Sequence, residues 1–126
     1  MKKIIIFVGL VLSQFSWAAD EMGDVGRLIG YTFWDESSDT YPSRHMEAIV
    51  MEGLDGQGNP VTQKYVGGGT SCQQREVQAS NQPLLLTALT EKNMRIRPIY
   101  KPGLGNIRCM VGFDLIQMPQ FEAYVQ

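Results

Sequence analysis

Several residue types that usually carry chemistry are scarce in this chain of 126 residues. It contains one histidine, His45, and two cysteines, Cys72 and Cys109. A single histidine excludes a metal site built from several imidazoles, and without a CxxC spacing a redox function has no support. His45 follows Arg44 in a polar stretch, which indicates a surface residue rather than a general base. No catalytic motif stands out, so we predict a protein that is not an enzyme and holds no metal or cofactor.

Long apolar runs are absent after the first 18 residues. Two lysines precede the apolar run IIIFVGLVL at residues 4–12, and small residues then occupy the positions that a signal peptidase recognises. The run is too short for a transmembrane helix, which needs roughly 20 residues. We therefore predict a signal peptide (1–18) cleaved after Ala18. The remaining residues, 19–126, would be exported to the periplasm or the medium as one domain.

Positive charge is also scarce. The chain has 11 Lys and Arg against 13 Asp and Glu, and loss of the signal peptide would remove two of the lysines and leave a net charge of −4. This balance argues against nucleic acid as a partner, because phosphates attract basic surfaces. Acidic residues concentrate in 20–55 and basic residues in 75–108. Solvated surface charge explains that division, and so does a homo-oligomeric ring in which the two faces meet.

The two cysteines are expected to form a disulfide in an exported chain. A bond between Cys72 and Cys109 would close a loop of about 36 residues and stabilise the fold by roughly 3–4 kcal/mol through loop entropy. Two free thiols, or an intermolecular bridge, are the alternatives.

The residues that are present have the pattern of a small domain rich in β-structure. β-Branched and aromatic runs between turn signals predict strands, and a Leu-rich run predicts a single helix. The predicted strands cover residues 27–34, 46–53, 61–66, 94–100 and 107–116, with a further short strand at 121–125. Five strands with one helix between the third and fourth predict a small, partly open OB-fold barrel, and an α+β sandwich is the alternative.

Strand periodicity also predicts where side chains point. In the first strand, Leu28 and Tyr31 are expected on opposite faces. In the last strand, strict alternation places Cys109 inward and Arg108 outward. Pro98 has no N–H to donate, so its strand is expected at a sheet edge or with a bulge.

The predicted helix spans about 11 residues after Asn81 or Ser80, either of which can cap its start. Its expected inner face consists of Leu84, Leu85, Ala88 and Leu89. A helix this short is not stable alone and is expected to lie against the sheet. The three glycines at 67–69 are predicted to form a flexible turn.

Aromatic side chains offer the best material for a binding site. Their faces stack on sugar rings, and tyrosine hydroxyls add directional hydrogen bonds. The candidate binding residues are Tyr31, Trp34, Tyr65 and Tyr100. Phe33 and Tyr41 belong to the same aromatic set, and at least half of these six residues are expected to fill the core instead.

Three segments resemble one known family. MRIRPIYKPG (94–103) after the Leu-rich helix, IVMEGLDGQG (49–58) and MVGFDLI (110–116) are similar to segments in the B subunits of pertussis-like AB5 toxins, in particular the subtilase cytotoxin B subunit. The resemblance implies an OB-fold subunit of a pentameric ring that binds sialylated host glycans and delivers a catalytic toxin subunit. Within it, Tyr100 matches a tyrosine that contacts the sugar.

A different function fits the acidic charge. An exported acidic domain of this size suits a periplasmic immunity or inhibitor protein that blocks a toxic cell-wall hydrolase, since acidic side chains can occupy a cationic substrate cleft. A structural protein of the cell envelope is the third reading.

Overall fold

The computed structural model describes residues 19–118, so the predicted signal peptide (1–18) and terminal strand (121–125) lie outside the described residues. Residues 19–118 form six strands and one α-helix. The elements are β1 (Glu21–Met22), β2 (Arg27–Phe33), β3 (Met46–Leu54), β4 (Pro60–Gly67), α1 (Gln82–Thr90), β5 (Met94–Pro102) and β6 (Arg108–Gln117). Short 3₁₀ turns precede α1 (Ala79–Asn81) and β6 (Leu104–Asn106).

All six strands belong to one mixed sheet in the order β1-β5-β6-β4-β3-β2. Neighbouring strands are antiparallel except β4 and β6, which meet in parallel at Val66 and Cys109. The fold is therefore mainly β with one helix, as predicted, but with six strands rather than five. The added strand is β1, which the sequence suggested to be a loose lead-in and which pairs with the end of β5.

The sheet of residues 19–118 is open, because its edge strands β1 and β2 do not pair with each other. The predicted OB-fold barrel is therefore not confirmed. One isolated antiparallel bridge joins Gly26, just before β2, to Ile96 in β5. Both backbone hydrogen bonds of that bridge form, with N···O distances of 2.9 and 2.8 Å. The bridge brings the first long strand to the side of β5 without extending into a ladder.

The predicted hairpin is confirmed as β3 and β4. Its turn is organised by Asp55, whose Oδ1 accepts backbone N–H groups of Gln57 at 2.8 Å and Asn59 at 2.9 Å. These donors, Asn59 foremost, hold the pKa of Asp55 below its usual value, because they favour the ionised carboxylate.

A bulge in β2 corrects the prediction for its two faces. Leu28 pairs with Val50 and Gly30 with Ile49, so Ile29 is an extra residue with no partner. An extra residue reverses the alternation beyond it. Leu28 is buried in the core and Tyr31 packs against that same core, so the expectation that they face opposite ways is wrong.

A second bulge corrects the prediction for β6. Ile99 pairs with Gly112 and Tyr100 with Met110, which leaves Val111 as the extra residue. Before the bulge the core side chain is Met110, and after it Phe113 and Leu115 pack against the core. Cys109 therefore belongs to a separate small cluster with Val66, Cys72 and Ile107, and the predicted strict alternation is wrong.

The same register shift bears on Pro98, which is fully buried in β5. Its carbonyl accepts the N–H of Gly23 at 2.8 Å. The nitrogen and oxygen of one strand residue point to the same side, so the Pro98 nitrogen faces the chain between β1 and β2 and not the β6 ladder. The bulge opposite Ile99 and Tyr100 lies next to it, in keeping with the predicted bulge or edge.

The helix α1 closes the core. Leu85 and Ala88 are buried and Leu89 packs beside them, whereas Leu84 is exposed, contrary to the predicted inner face. Asn81 occupies the N-cap position, one of the two positions predicted, but its side chain makes no capping hydrogen bond. No helix within residues 19–118 has the length and apolar character needed to cross a bilayer.

The predicted disulfide is present between Cys72 and Cys109. It joins the segment after β4 to the start of β6 across 37 residues of sequence. The bonded sulfurs lie in the small apolar cluster described above, on the opposite side of β6 from Met110.

Removal of this disulfide should destabilise the domain strongly. We expect Cys72→Ser/Cys109→Ser to lower the unfolding free energy by about 3–4 kcal/mol, because the unfolded chain regains loop entropy. The melting temperature should fall by roughly 10–30 °C. Calorimetry of the variant and of the reduced wild-type protein measures the effect, and the two should agree. A reduced protein with an unchanged melting temperature would contradict the prediction.

Candidate functional site

Two of the predicted binding residues, Tyr65 and Tyr100, lie together, but Arg108 of the same domain already contacts both of them. Their ring centroids are 5.7 Å apart. Arg108 donates from Nη1 to the Tyr65 hydroxyl at 3.0 Å, and its guanidinium carbon lies 4.6 Å from the centroid of the Tyr100 ring. The bulge at Val111 places Arg108 with Met110 on this face, instead of outward as predicted.

This Arg108–tyrosine cluster leaves little for a ligand to contact. Tyr65 is fully buried, and one face of the half-buried Tyr100 is covered by the guanidinium. A cation over an aromatic face stabilises by about 0.5–2 kcal/mol. Burial raises the pKa of Tyr65, and the hydrogen bond from Arg108 offsets only part of that rise. The cluster holds β4, β5 and β6 together.

The other two predicted residues lie elsewhere. Tyr31 packs against the core from β2, and its buried hydroxyl oxygen has no hydrogen-bond partner within residues 19–118. Burial raises the pKa of Tyr31 as well. Trp34 is half-buried at the end of β2, where its backbone N–H donates to the carbonyl of His45 at 2.9 Å.

A better candidate site is a cleft of about 350 Å³ beside the loop that connects β2 and β3. We call it the aromatic cleft. Its main lining side chains are Phe33, Tyr41, His45, Glu76, Gln78 and Gln82. Phe33 is apolar yet 48% exposed, so a ligand in the cleft can contact it.

Three side chains of the aromatic cleft form a connected unit. The rings of Tyr41 and His45 are stacked, with centroids 4.0 Å apart and planes inclined by 15°. Nδ1 of His45 lies 2.9 Å from Oε2 of Glu76, which fixes the orientation of the imidazole. The His45 side chain is only 20% exposed, so it is a packed residue of the cleft and not the free surface residue that the sequence suggested.

The glycines at 67–69 make this unit sterically feasible. Gly68 has φ +73°, and a β-carbon there would collide with the His45 ring and lie 2.7 Å from Oε2 of Glu76. Gly69 has φ +70° and faces the backbone of Ser43 and Arg44 just as closely. The sequence suggested that residues 67–69 form a flexible turn. They instead form a segment without side chains, which we call the glycine track, against which the β2–β3 loop packs closely.

Hydrogen bonds tie the loop to this track. His45 donates its N–H to Gly67 at 2.8 Å, and Thr70 and Ser71 donate theirs to Pro42 and Ser43, both at 3.0 Å. The loop that carries Tyr41 and His45 is thereby held in one position. Sequence reasoning missed the site because it joins residues about 31 positions apart. The three consecutive glycines after a strand were the one available signal.

The aromatic cleft has the composition of a binding site for a polar ligand with flat apolar faces. It combines aromatic rings with the carboxylate of Glu76 and the amides of Gln78 and Gln82. Residues 19–118 contain no group of three or more His, Cys, Asp or Glu side chains placed to hold a metal ion. Comparisons of the chain with protein-family models, curated proteins and solved structures gave no match. Its function has to be argued from its own residues.

The glycine track predicts a specific effect of Gly68→Ala. A side chain at position 68 should displace the His45 ring from Tyr41 and Glu76, and so shift the imidazole signals in the NMR spectrum. His45 is the only histidine in the sequence, so an untagged protein gives an unambiguous signal.

Gly105→Ala is the matched control, because Gly105 also has a left-handed backbone (φ +69°) but no atom within 4 Å of the added carbon. Both variants should lose roughly 1–2 kcal/mol of stability from backbone strain. Only Gly68→Ala should move the imidazole signals. Equal shifts in the two variants would refute the role assigned to the track.

Tyr31 and Tyr65 predict a late phase in the alkaline titration of the folded protein. The raised pKa values of Tyr31 and Tyr65 mean that the folded protein keeps these phenols neutral above pH ~10, where tyrosine in the unfolded chain ionises. Their contribution to stability is complete below that pH and is lost as the pH rises through the folded-state values.

Ultraviolet absorbance of tyrosinate should therefore show a late-ionising contribution from each of Tyr31 and Tyr65 in the folded protein. Tyr31→Phe and Tyr65→Phe should each remove one of them. The unfolded protein in urea is the control and should titrate in one step. A folded protein whose curve matches the urea curve would disprove the assignment.

Proposed function

We propose that this chain is an exported, non-catalytic carbohydrate-binding module built as an OB-fold, with its sugar site in the aromatic cleft. The observation that carries the proposal is a single cleft lined by the exposed Phe33, by the stacked Tyr41–His45 pair and by carboxylate and amide groups. The Cys72–Cys109 disulfide is compatible with export, because such bonds persist in oxidising compartments.

The strand order supports the OB-fold assignment. Apart from the two-residue β1, the order is three strands, α1 and two further strands. The Gly26–Ile96 bridge brings the start of β2 against β5, which is where a partly open barrel would begin to close. OB-folds commonly bind oligosaccharides or oligonucleotides with the loop between their first two strands. Here that loop supplies Tyr41 and His45.

The chemistry of the cleft favours a sugar over other small ligands. Aromatic faces pack on the apolar faces of sugar rings, and carboxylate and amide oxygens accept hydrogen bonds from sugar hydroxyls. Oligonucleotides, the other ligand class of this fold, would bring phosphates towards Glu76 in a domain with excess negative charge. The amides of Gln78 and Gln82 can both donate and accept, which suits a diol.

The same chemistry favours neutral over sialylated glycans. Glu76 places a carboxylate, 36% exposed, at the edge of the cleft, where it would repel the carboxylate of a sialic acid. The family resemblance places a sugar contact at Tyr100 instead, but that ring is covered on one face by Arg108. We therefore assign the sugar site to the aromatic cleft.

The resemblance to AB5 toxins adds a role for such a module: a ring-forming subunit that carries a catalytic toxin subunit to host glycans. Co-purification with a separate catalytic chain supports this role. Co-purification with a cell-wall hydrolase that loses activity supports the inhibitor role instead.

A glycan array with neutral and sialylated ligands tests the proposal. We expect binding to neutral glycans, with Phe33→Ala and Tyr41→Ala each weakening the affinity roughly 3- to 10-fold. Stacked aromatic contacts contribute about 0.5–1.5 kcal/mol beyond the area they bury, which corresponds to that range. Titration calorimetry of the strongest array ligand measures the change.

Leu54→Ala is the control, since Leu54 is an equally apolar, 67% exposed side chain at the far hairpin turn. It should leave the affinity unchanged. The melting temperature of Tyr41→Ala reports whether the variant keeps the wild-type fold. If the array gives no binding, or if Leu54→Ala weakens binding as much as Phe33→Ala, the proposed site is wrong.

A further inference from the structure

The aromatic cleft has a neighbour that shares one of its walls. A second cleft of about 480 Å³ lies between α1 and β6. Both clefts are lined by Glu76, Val77 and Gln78, so this segment separates them. On its far side the second cleft is lined by Asn81 and Leu84 from the helix end and by Val111, Gly112 and Phe113 from β6. We call it the helix cleft.

The segment shared by the two clefts, residues 76–78, is anchored in the core by its middle residue and is polar on its exposed side. Val77 is buried and packs in the main core, which anchors the segment. Glu76 and Gln78, on either side of it, are exposed. Their side chains therefore stand at the crest between the two clefts, where one ligand can contact them from both sides.

The helix cleft repeats the chemistry of the aromatic cleft. Phe113 supplies an aromatic ring, half-buried and packed against the core, and Asn81 supplies an amide. No lysine or arginine lines either cleft in the described part of the chain. Each volume is at the lower end of the range of small-molecule sites, about 300–1,000 Å³. Two such clefts side by side suit a ligand made of repeated, uncharged units.

We infer that the carbohydrate bound by this protein is an extended neutral oligosaccharide that occupies both clefts and crosses Glu76 and Gln78 between them. This inference rests on the proposed function and specifies its ligand. The terminal unit lies in the aromatic cleft and further units lie in the helix cleft. Affinity then depends on chain length, which a single-cleft site would not require.

The test uses the strongest neutral ligand of the glycan array, together with the same glycan shortened one residue at a time to its terminal monosaccharide. Calorimetry should give at least a fivefold gain in affinity between the monosaccharide and the longest form. In Leu84→Arg, a bulky cation projects into the helix cleft from a position that is 46% exposed and so does not disturb the core.

Leu84→Arg should reduce the affinity for the longest form to that for the monosaccharide, without changing monosaccharide binding. Leu86→Arg is the matched control: it adds the same charge two residues along α1, at a position that is 54% exposed and lines neither cleft. It should bind all forms as the wild-type protein does. Phe33→Ala should weaken every form.

The outcomes separate the two proposals. If no glycan binds, the proposed function and this inference fail together. If a glycan binds but its monosaccharide binds equally tightly, or Leu84→Arg leaves the long form unaffected, only the two-cleft inference is overturned. A length-dependent affinity that Leu84→Arg removes and Leu86→Arg preserves supports it.

Discussion

Single extra residues in the strands decide which side chains this protein can use. Strand side chains alternate with a period of two, so each inserted residue exchanges the inner and outer faces for the rest of the strand. Ile29 in β2 turns Tyr31 onto the core face, and Val111 in β6 separates Arg108 and Met110 from the alternation of Phe113 and Leu115. Without the second bulge, Arg108 and Met110 would lie on the opposite face of β6 from Phe113 and Leu115.

A consequence is that the most prominent tyrosines are structural. Tyr65 and Tyr100 are held by Arg108, whose charge is partly satisfied by a phenol hydroxyl and an aromatic face. Such an arrangement stabilises the junction of β4, β5 and β6, with Tyr65 fully buried and one face of the half-buried Tyr100 covered. The aromatic side chains Phe33 and Tyr41, which line the aromatic cleft, lie instead at the end of β2 and in the loop that follows it.

The disulfide and the cleft are mechanically connected. Cys72 is bonded to β6 and also lies in the short segment that donates backbone hydrogen bonds to the loop at Pro42 and Ser43. The close contact at Gly68 then positions His45 against Glu76. The polar β2–β3 loop would otherwise sample many conformations. It is held by hydrogen bonds to residues 70–71, and that segment is fixed in turn by the Cys72–Cys109 disulfide. A preformed site of this kind loses little conformational entropy when a ligand binds.

The sequence by itself determined the order of the five long strands and the helix, the β3–β4 hairpin and the cysteine pair, because each depends on local periodicity, turn residues or a count of two. It could not determine the faces of β2 and β6, because a bulge depends on which partner strand pairs and in which register. It also missed β1, whose two residues form a strand only because the end of β5 offers an edge. The candidate site was the least predictable feature. Phe33 ends β2, Tyr41 and His45 lie in the loop that follows, and Glu76 lies between β4 and α1. The close approach at the glycines 67–69 brings the loop and the Glu76 segment together. Of the tyrosines named from the sequence, tertiary packing buried Tyr65 and left Tyr31 and Tyr100 half-buried against the core. It gave the lone histidine, set aside as a surface residue, a place in the aromatic cleft.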